Sequence, residues 1–227
     1  MYRSRDRLVI FDADGTTIDA FQAIASTFLR HGMDIGDLER FRKRRKLFKY
    51  LGGLRELPNN LRQQFGRQSR RKLLATLTEV YRHEAVLYPG IAELFAALIA
   101  APGIRVGLVT RNITIDPAET LRLLFLRHGI DTAAFDFLAC IALGDDKAAP
   151  IRAARLRFDI NPARAYSCGD EYRDYAAAIA CGMHPLIASY GFEDANRLIA
   201  GFGVPADVVA DSPQELAARL LHALDLH

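Results

Sequence analysis

Residues 7–19 read Arg-Leu-Val-Ile-Phe-Asp-Ala-Asp-Gly-Thr-Thr-Ile-Asp, an apolar run from Leu8 to Phe11 that stops on two carboxylates, Asp12 and Asp14. A short unbroken apolar run fits a strand buried on both faces, the kind found in parallel sheets. In open α/β sheets ligands bind in the crevice outside the carboxyl ends of the strands, which is where Asp12 and Asp14 fall. Two neighbouring acids repel each other unless a cation or a proton separates them, so the pair asks for a chemical role. Asp14-Gly15 is equally a dipeptide that reverses a chain, and a plain turn is the competing reading of this stretch alone.

Outward from this strand, apolar runs recur at Ile104–Val109, Phe137–Leu143, Ala165–Cys168, Met183–Ala188 and Val208–Ala210. Helical patterns separate them at Ile91–Ala101, Pro117–His128, Ala149–Phe158, Tyr172–Cys181 and Pro213–Leu226, the last with Ser212 as N-cap. Alternation of this kind predicts an α/β fold with a Rossmann-like parallel sheet core flanked by helices. The rhythm breaks between Ile18 and about Tyr88, which shows helical patterns but no strand and is far longer than a βαβ connection. An inserted helical cap domain over residues 18–88 fits, with residues 1–17 and 89–227 forming the core.

Charge separates the two parts. The insert carries 15 Lys or Arg against 7 Asp or Glu, net +8, while the remainder has 15 against 20, net −5. Much of the excess lies in Arg42, Lys43, Arg44, Arg45, Lys46 and Lys49, with a second group at Arg67, Arg70, Arg71 and Lys72. A solvated helix face and a rim that attracts an anionic substrate both account for it. Phe41, Phe48 and Tyr50 interleave with the cations and could stack bases, yet they fit a cap core better, so nucleic acid is not the expected partner.

Half of the 227 residues are hydrophobic and 25% charged, which suits a globular chain with a sizeable core and excludes disorder. No secretory signal is visible and no run is long enough to span a membrane, so a cytoplasmic protein is expected, without membrane partners. Cys140, Cys168 and Cys181 form no CxxC pair and read as reduced thiols. Oligomeric state leaves no mark in the sequence.

Three further strand ends carry polar groups. Thr110, Arg111 and Asn112 follow Val109, with a hydroxyl and an amide able to hold an oxyanion or simply to cap a loop. Lys147 stands at the start of a helix, where the macrodipole disfavours a cation unless an anion is near. After Cys168 come Gly169, Asp170, Glu171 and, one helical turn on, Asp174; such oxygen donors suit magnesium, although acids also favour a first helical turn.

Together the four segments resemble the haloacid dehalogenase-like (HAD) superfamily of phosphotransferases over nearly the whole chain. Asp12, Asp14 and Thr16 match Asp-x-Asp-x-Thr; Thr110 and Lys147 match the next two motifs; Asp170 and Asp174 match Gly-Asp-x-x-x-Asp. The insert falls where cap-bearing members have theirs, and Tyr190-Gly191-Phe192 is similar to the phosphoglycolate phosphatase-like branch. Two departures, Lys147-Ala148-Ala149-Pro150 in place of Lys-Pro and Thr17 where an apolar residue is usual, remove no reacting group.

The resemblance implies a magnesium-dependent phosphatase acting on a small phosphorylated metabolite. Asp12 would attack phosphorus and become an aspartyl-phosphate; Asp14 would serve as acid and then base. Magnesium would be held by Asp12, the Asp14 backbone carbonyl and Asp170, with Glu171 and Asp174 as further oxygen donors. Thr110 and Lys147 would act on the transferring phosphoryl group, with Thr16, Arg111 and Asn112 binding substrate. Asp14 favours ester chemistry over carbon–halogen cleavage, which needs no proton donor. A phosphomutase and a catalytically silent anion- or nucleic-acid-binding relative remain open alternatives. An imine-forming lysine among Lys43, Lys46 and Lys49 would signal phosphonate cleavage. A receiver module of about 120 residues would leave the insert unexplained.

Overall fold

The computed structural model describes residues 2, 4–33 and 70–226. Strand β1 (Arg7–Phe11) is followed by helices α1 (Ala20–Arg30), α2 (Arg70–His83) and α3 (Ile91–Ala100). Then come β2 (Ile104–Thr110), α4 (Pro117–Arg127), β3 (Phe137–Cys140), α5 (Ala148–Arg157), β4 (Ala165–Gly169) and α6 (Tyr172–Ala180). Strand β5 (His184–Ala188), β6 (Val209–Ala210) and α7 (Pro213–Ala223) complete the order. The strands form one sheet in the order β3-β2-β1-β4-β5-β6, every pairing parallel. This is the expected Rossmann-like α/β core, with β1 and its two aspartates at the centre.

The unbroken apolar run of β1 follows from burial on both faces. Val9 and Phe11 enter the larger core with Phe95, Leu108, Phe125 and Leu216. Leu8 and Ile10, pointing the opposite way, pack with Val109, Ile151 and Ala178. Both Asp12 and the acids after β4 therefore emerge at one end of a sheet that helices cover on either side.

Several elements are shorter than their patterns, and in three the chain shows why. β3 stops at Cys140 because the chain turns at once: Ile141 N–H makes a last bond to the Thr110 carbonyl, 2.9 Å, and Asp145 N–H reaches back to Ala142, 3.0 Å. Helix α7 ends at Ala223, and Asp225 at φ 54° reverses the chain, so that Leu226 N–H bonds to the Leu221 carbonyl at 2.9 Å. Val208 belongs to a 3-10 turn, Ala206–Val208, that leads into β6.

The chain leaves β1 and returns along adjacent paths: Ile18 and Leu87 form an antiparallel bridge, and Asp19 N–H donates to Val86 at 2.9 Å while Tyr88 N–H donates to Thr17 at 3.0 Å. Between these points α1 packs on α2, and His31 and Thr76 join their flanks at 2.8 Å. Helix α2 also packs on α4. The basic run Arg42–Lys49, Arg67, and the aromatics Phe41, Phe48 and Tyr50 lie outside the described residues. Cys140, Cys168 and Cys181 form no disulfide. Among the described residues no helix is long and apolar enough to cross a membrane.

Candidate active site

Asp12 is the residue where the sheet gives way to the site. Its N–H still donates to the Cys168 carbonyl at 2.8 Å, extending the pairing of β1 with β4, while its side chain leaves the sheet. One carboxylate oxygen, Oδ1, accepts the Ala13 N–H at 2.8 Å; Oδ2 lies 2.7 Å from Lys147 Nζ. The loop then folds on itself, with the Thr17 and Ile18 N–H groups both donating to the Ala13 carbonyl at 2.9 Å. Gly15 makes that possible at φ 84°, and a Cβ there would overlap the Asp170 carboxylate.

Lys147 sits at the N-cap of α5, and the anions that justify a cation there are side chains. Its ammonium bridges Asp12 and Asp174 Oδ1, the latter at 2.6 Å, and the residue is 3% exposed. Burial opposes its charge, but Asp12 and Asp174 outweigh that and hold its pKa above the usual lysine range.

Asp170 ends β4. Its Oδ1 accepts the Thr16 hydroxyl at 3.2 Å and its Oδ2 the Phe192 N–H at 2.6 Å, while Tyr190 donates to the Thr16 carbonyl at 2.9 Å. Asp174, in the first turn of α6, accepts the N–H groups of Asp170 and Glu171 on Oδ2, 3.2 and 3.0 Å. Glu171 completes a reciprocal cap by accepting the N–H of Asp174, so its carboxylate serves the helix start and stands outside the cluster formed by its neighbours.

That cluster comprises Asp12, Asp170 and Asp174, whose donor oxygens lie within 4.8 Å of one another. Burial pushes the Asp12 carboxyl up to about 7, the Asp174 and Asp14 charges adding to a rise that Lys147 opposes. Burial, with Asp12, Asp174 and Glu171 nearby, also raises Asp170 well above the carboxylate range. When all three are ionised, the carboxylates facing one ammonium leave an excess of two negative charges, and every donor is a hard oxygen. A small divalent cation such as magnesium fits both facts.

Asp14 is held separately. The Asn112 amide donates to both of its oxygens, 3.2 Å to Oδ1 and 3.0 Å to Oδ2, and the Tyr81 hydroxyl donates to Oδ1 at 2.9 Å. The amide cannot be turned over, because Asn112 Oδ1 accepts the Thr114 N–H at 3.0 Å and the Thr114 hydroxyl. Thr110, fully buried at the end of β2, accepts the Asn112 N–H at 3.2 Å and so supports the same residue. Burial raises the Asp14 pKa, against the lowering by Tyr81, Asn112 and Lys147.

Asp12, Thr16, Lys147, Asp170 and Asp174 thus share one hydrogen-bonded group, and Asp14, Asn112 and Thr110 a second one beside it. Arg111 donates to the Asp145 carbonyl at 3.1 Å and is engaged with the loop after β3. Sequence reasoning missed Tyr81, which reads there as one more residue of the buried stripe Leu73, Leu77 and Val80. It also missed what Gly191 is for: a Cβ there would overlap Asp170 and the Gly15 carbonyl, so the glycine lets the Phe192 backbone approach.

A family model described as haloacid dehalogenase-like hydrolase matches residues 7–182, a segment holding all of these acids and Lys147. The chain is 29% identical over 242 aligned positions, 99% of each protein, to the N-acetylmuramic acid 6-phosphate phosphatase of Pseudomonas aeruginosa. Among solved structures, a haloacid dehalogenase-like hydrolase of Streptococcus pneumoniae superposes with a TM-score of 0.67 at 20% identity, covering 95% of this chain and 98% of that one. CbbY of Rhodobacter sphaeroides, solved with phosphate, superposes at 0.62 and 24% identity over 93% of this chain and 96% of its own.

Proposed function

The chain belongs to the haloacid dehalogenase-like hydrolase family, and on that premise we propose that it is a magnesium-dependent phosphatase of a small phosphomonoester, working through an aspartyl-phosphate on Asp12. One observation carries the reading: the Asp12 carboxylate is steered by Lys147 and the Ala13 N–H at the mouth of the sheet, next to an Asp14 held ready by donors of its own.

Asp12 attacks phosphorus in line, so that its new O–P bond forms as the ester P–O bond breaks. The Ala13 N–H and Lys147 fix the rotamer from which it does so, and Lys147 adds positive charge beside the equatorial oxygens. Asp14 gives its proton to the leaving oxygen and takes one back from the water that cleaves the acyl phosphate, regenerating Asp12. Asn112, expected from sequence to bind substrate, acts on this reading through Asp14, its amide already being committed there. Thr16, Thr110 and Arg111 remain assigned to the phosphate and its surroundings, and Glu171 to the helix start beside it. Asp12, Asp170 and Asp174, with the Asp14 backbone carbonyl, are the residues to hold magnesium, which when bound supplies the charge that offsets repulsion between carboxylate and phosphate dianion.

Residues 18–88 act as the cap over a core of 1–17 and 89–227, supported by the adjacent exit and return of the chain. The unpaired cysteines support a cytoplasmic setting. The Pseudomonas aeruginosa relative makes N-acetylmuramic acid 6-phosphate the first substrate to test. Phosphate release should be followed over that ester, other sugar phosphates, nucleotides and phosphoglycolate, with magnesium and with chelator. Turnover of one class, lost in chelator, is expected, and Asp170→Ala should raise the magnesium requirement at least ten-fold. A flat panel, or undiminished turnover in chelator, overturns the assignment.

A further inference from the structure

Of the three donor contacts on Asp14, two fall on Oδ1 and one on Oδ2. Oδ1 takes Tyr81 at 2.9 Å and Asn112 at 3.2 Å; Oδ2 takes Asn112 alone at 3.0 Å. An oxygen that already accepts two hydrogen bonds is the poorer place for a proton, because a protonated oxygen has one lone pair fewer to offer and its hydrogen faces two others. If Tyr81 were absent, the remaining asymmetry would be that of one amide with contacts of nearly equal length.

Tyr81 lies on α2, within the segment expected to be cap, yet its surroundings belong to the core. Arg127 of α4 donates to the carbonyls of His83 at 2.9 Å, Ala85 at 2.5 Å and Tyr81 itself at 3.4 Å. One turn earlier Thr78 accepts the Ile115 N–H at 2.9 Å, and Arg82 donates to Thr120 at 3.1 Å. These bonds tie the last turns of α2 to α4 and the loop before it, and the tyrosine is 3% exposed. The hydroxyl is thus presented to Asp14 by a helix end bonded to the core.

We propose that Tyr81 is a positioning residue for Asp14: its hydroxyl, fixed by the anchoring of α2 on α4, occupies Oδ1 and reserves Oδ2 for the proton that passes to the leaving oxygen. In the first step Asp14 loses that proton as the ester P–O bond breaks and becomes a carboxylate held by Tyr81 and Asn112; in the second it recovers one from water on the same oxygen. This rests on the assignment of Asp14 as the acid.

The test compares phenyl phosphate, whose leaving group needs the proton, with p-nitrophenyl phosphate, which needs it little. In the full chain with magnesium, Tyr81→Phe should lower kcat/KM about ten-fold for phenyl phosphate and less than about two-fold for p-nitrophenyl phosphate, a measure that ends at transfer to Asp12 and leaves out the hydrolysis common to both esters, as expected for one lost hydrogen bond to a charged group. In an Asp14→Ala background Tyr81→Phe should add nothing, because a residue that acts through Asp14 has then nothing to act on. Arg127→Gln, which loosens the anchor and keeps the tyrosine, should show the same leaving-group signature with smaller losses and provides a second reading should Tyr81→Phe unfold. Equal losses of kcat/KM for both esters, or a loss that persists without Asp14, would overturn the role of Tyr81 while leaving the phosphatase standing. A wild-type chain that releases no phosphate from any ester overturns the assignment beneath it, and this role with it.

Discussion

Lys147→Met removes the cation that holds two carboxylates together, and the structure sets how much that should cost. The ammonium lies 2.7 Å from Asp12 and 2.6 Å from Asp174. At an effective dielectric of ~20 each contact is worth about 6 kcal/mol of gross attraction, most of it offset by the desolvation of three charged groups. What remains on removing one partner is the cost of leaving the others buried and uncompensated, about 3–5 kcal/mol. Protonation limits that loss. Burial already places the Asp12 carboxyl at about 7 with Lys147 beside it, and losing the cation moves it higher. The sign follows: a raised carboxyl pKa means that the folded state keeps its proton to higher pH, so as pH falls a proton takes over the neutralising role. The variant should therefore lose about 3–5 kcal/mol at pH 8 and clearly less at pH 5, as read from urea unfolding in chelator. Magnesium, on the proposed function a ligand of the same cluster, should raise the variant's midpoint more than the wild type's at pH 8. A loss below about 1 kcal/mol at pH 8, or a larger loss at pH 5, would refute the view that the carboxylates depend on Lys147 for their charge balance.

Asp12→Asn should keep the fold and abolish turnover, since the amide retains shape but neither attacks phosphorus nor donates two anionic oxygens; more than a few per cent residual activity in protein free of deamidation would contradict the nucleophile. Gly191→Ala should destabilise the chain by about 1–3 kcal/mol and weaken magnesium binding measured by calorimetry, because the new Cβ overlaps the Gly15 carbonyl and Asp170, and Asp170 belongs to the carboxylate cluster. Unchanged metal affinity would show that Asp170 has room to adjust. Replacing Arg44, Arg45 and Lys46 together by Gln should lower kcat/KM for the best substrate and flatten its salt dependence, a test resting on the +8 charge of residues 18–88, since these three lie outside the described residues. An unchanged salt slope would favour a plain solvated face.

What was legible in the sequence and what was not divide along a physical line. Periodicity announces burial, so β1, with both faces covered, stood out as Leu8 to Phe11, and the alternating elements after it gave the parallel sheet. Charged residues at strand ends announce a site, because a carboxylate or ammonium there is costly unless it has a partner; Asp12, Lys147, Asp170 and Asp174 were found on that ground and do meet. Partner choice was not legible. Asn112 could offer its amide to a phosphate or to a neighbour, and only the Thr114 contacts, which set the orientation of the amide, decide for Asp14. Glu171 carries the same charge as Asp170 and sits beside it, yet the direction of the α6 start spends it on a helix cap.

Tyr81 marks the deeper limit. Along α2 it occupies a position on the buried stripe, where an aromatic ring needs no further reason, and its hydroxyl contributes nothing to the periodicity. Its proposed role depends on a contact with Asp14 sixty-seven positions away, made from a helix end whose carbonyls Arg127 collects. A boundary drawn where the strands stop assigns this whole helix to the insert, although its last turns also bond to α4 and the loop before it. The assignment and the bonds differ because hydrophobic pattern reports which face is covered, while the identity of the covering element is fixed by polar contacts of high sequence separation. For this fold the consequence is chemical: the hydroxyl proposed to steer Asp14 comes from a helix whose last turns are bonded to α4.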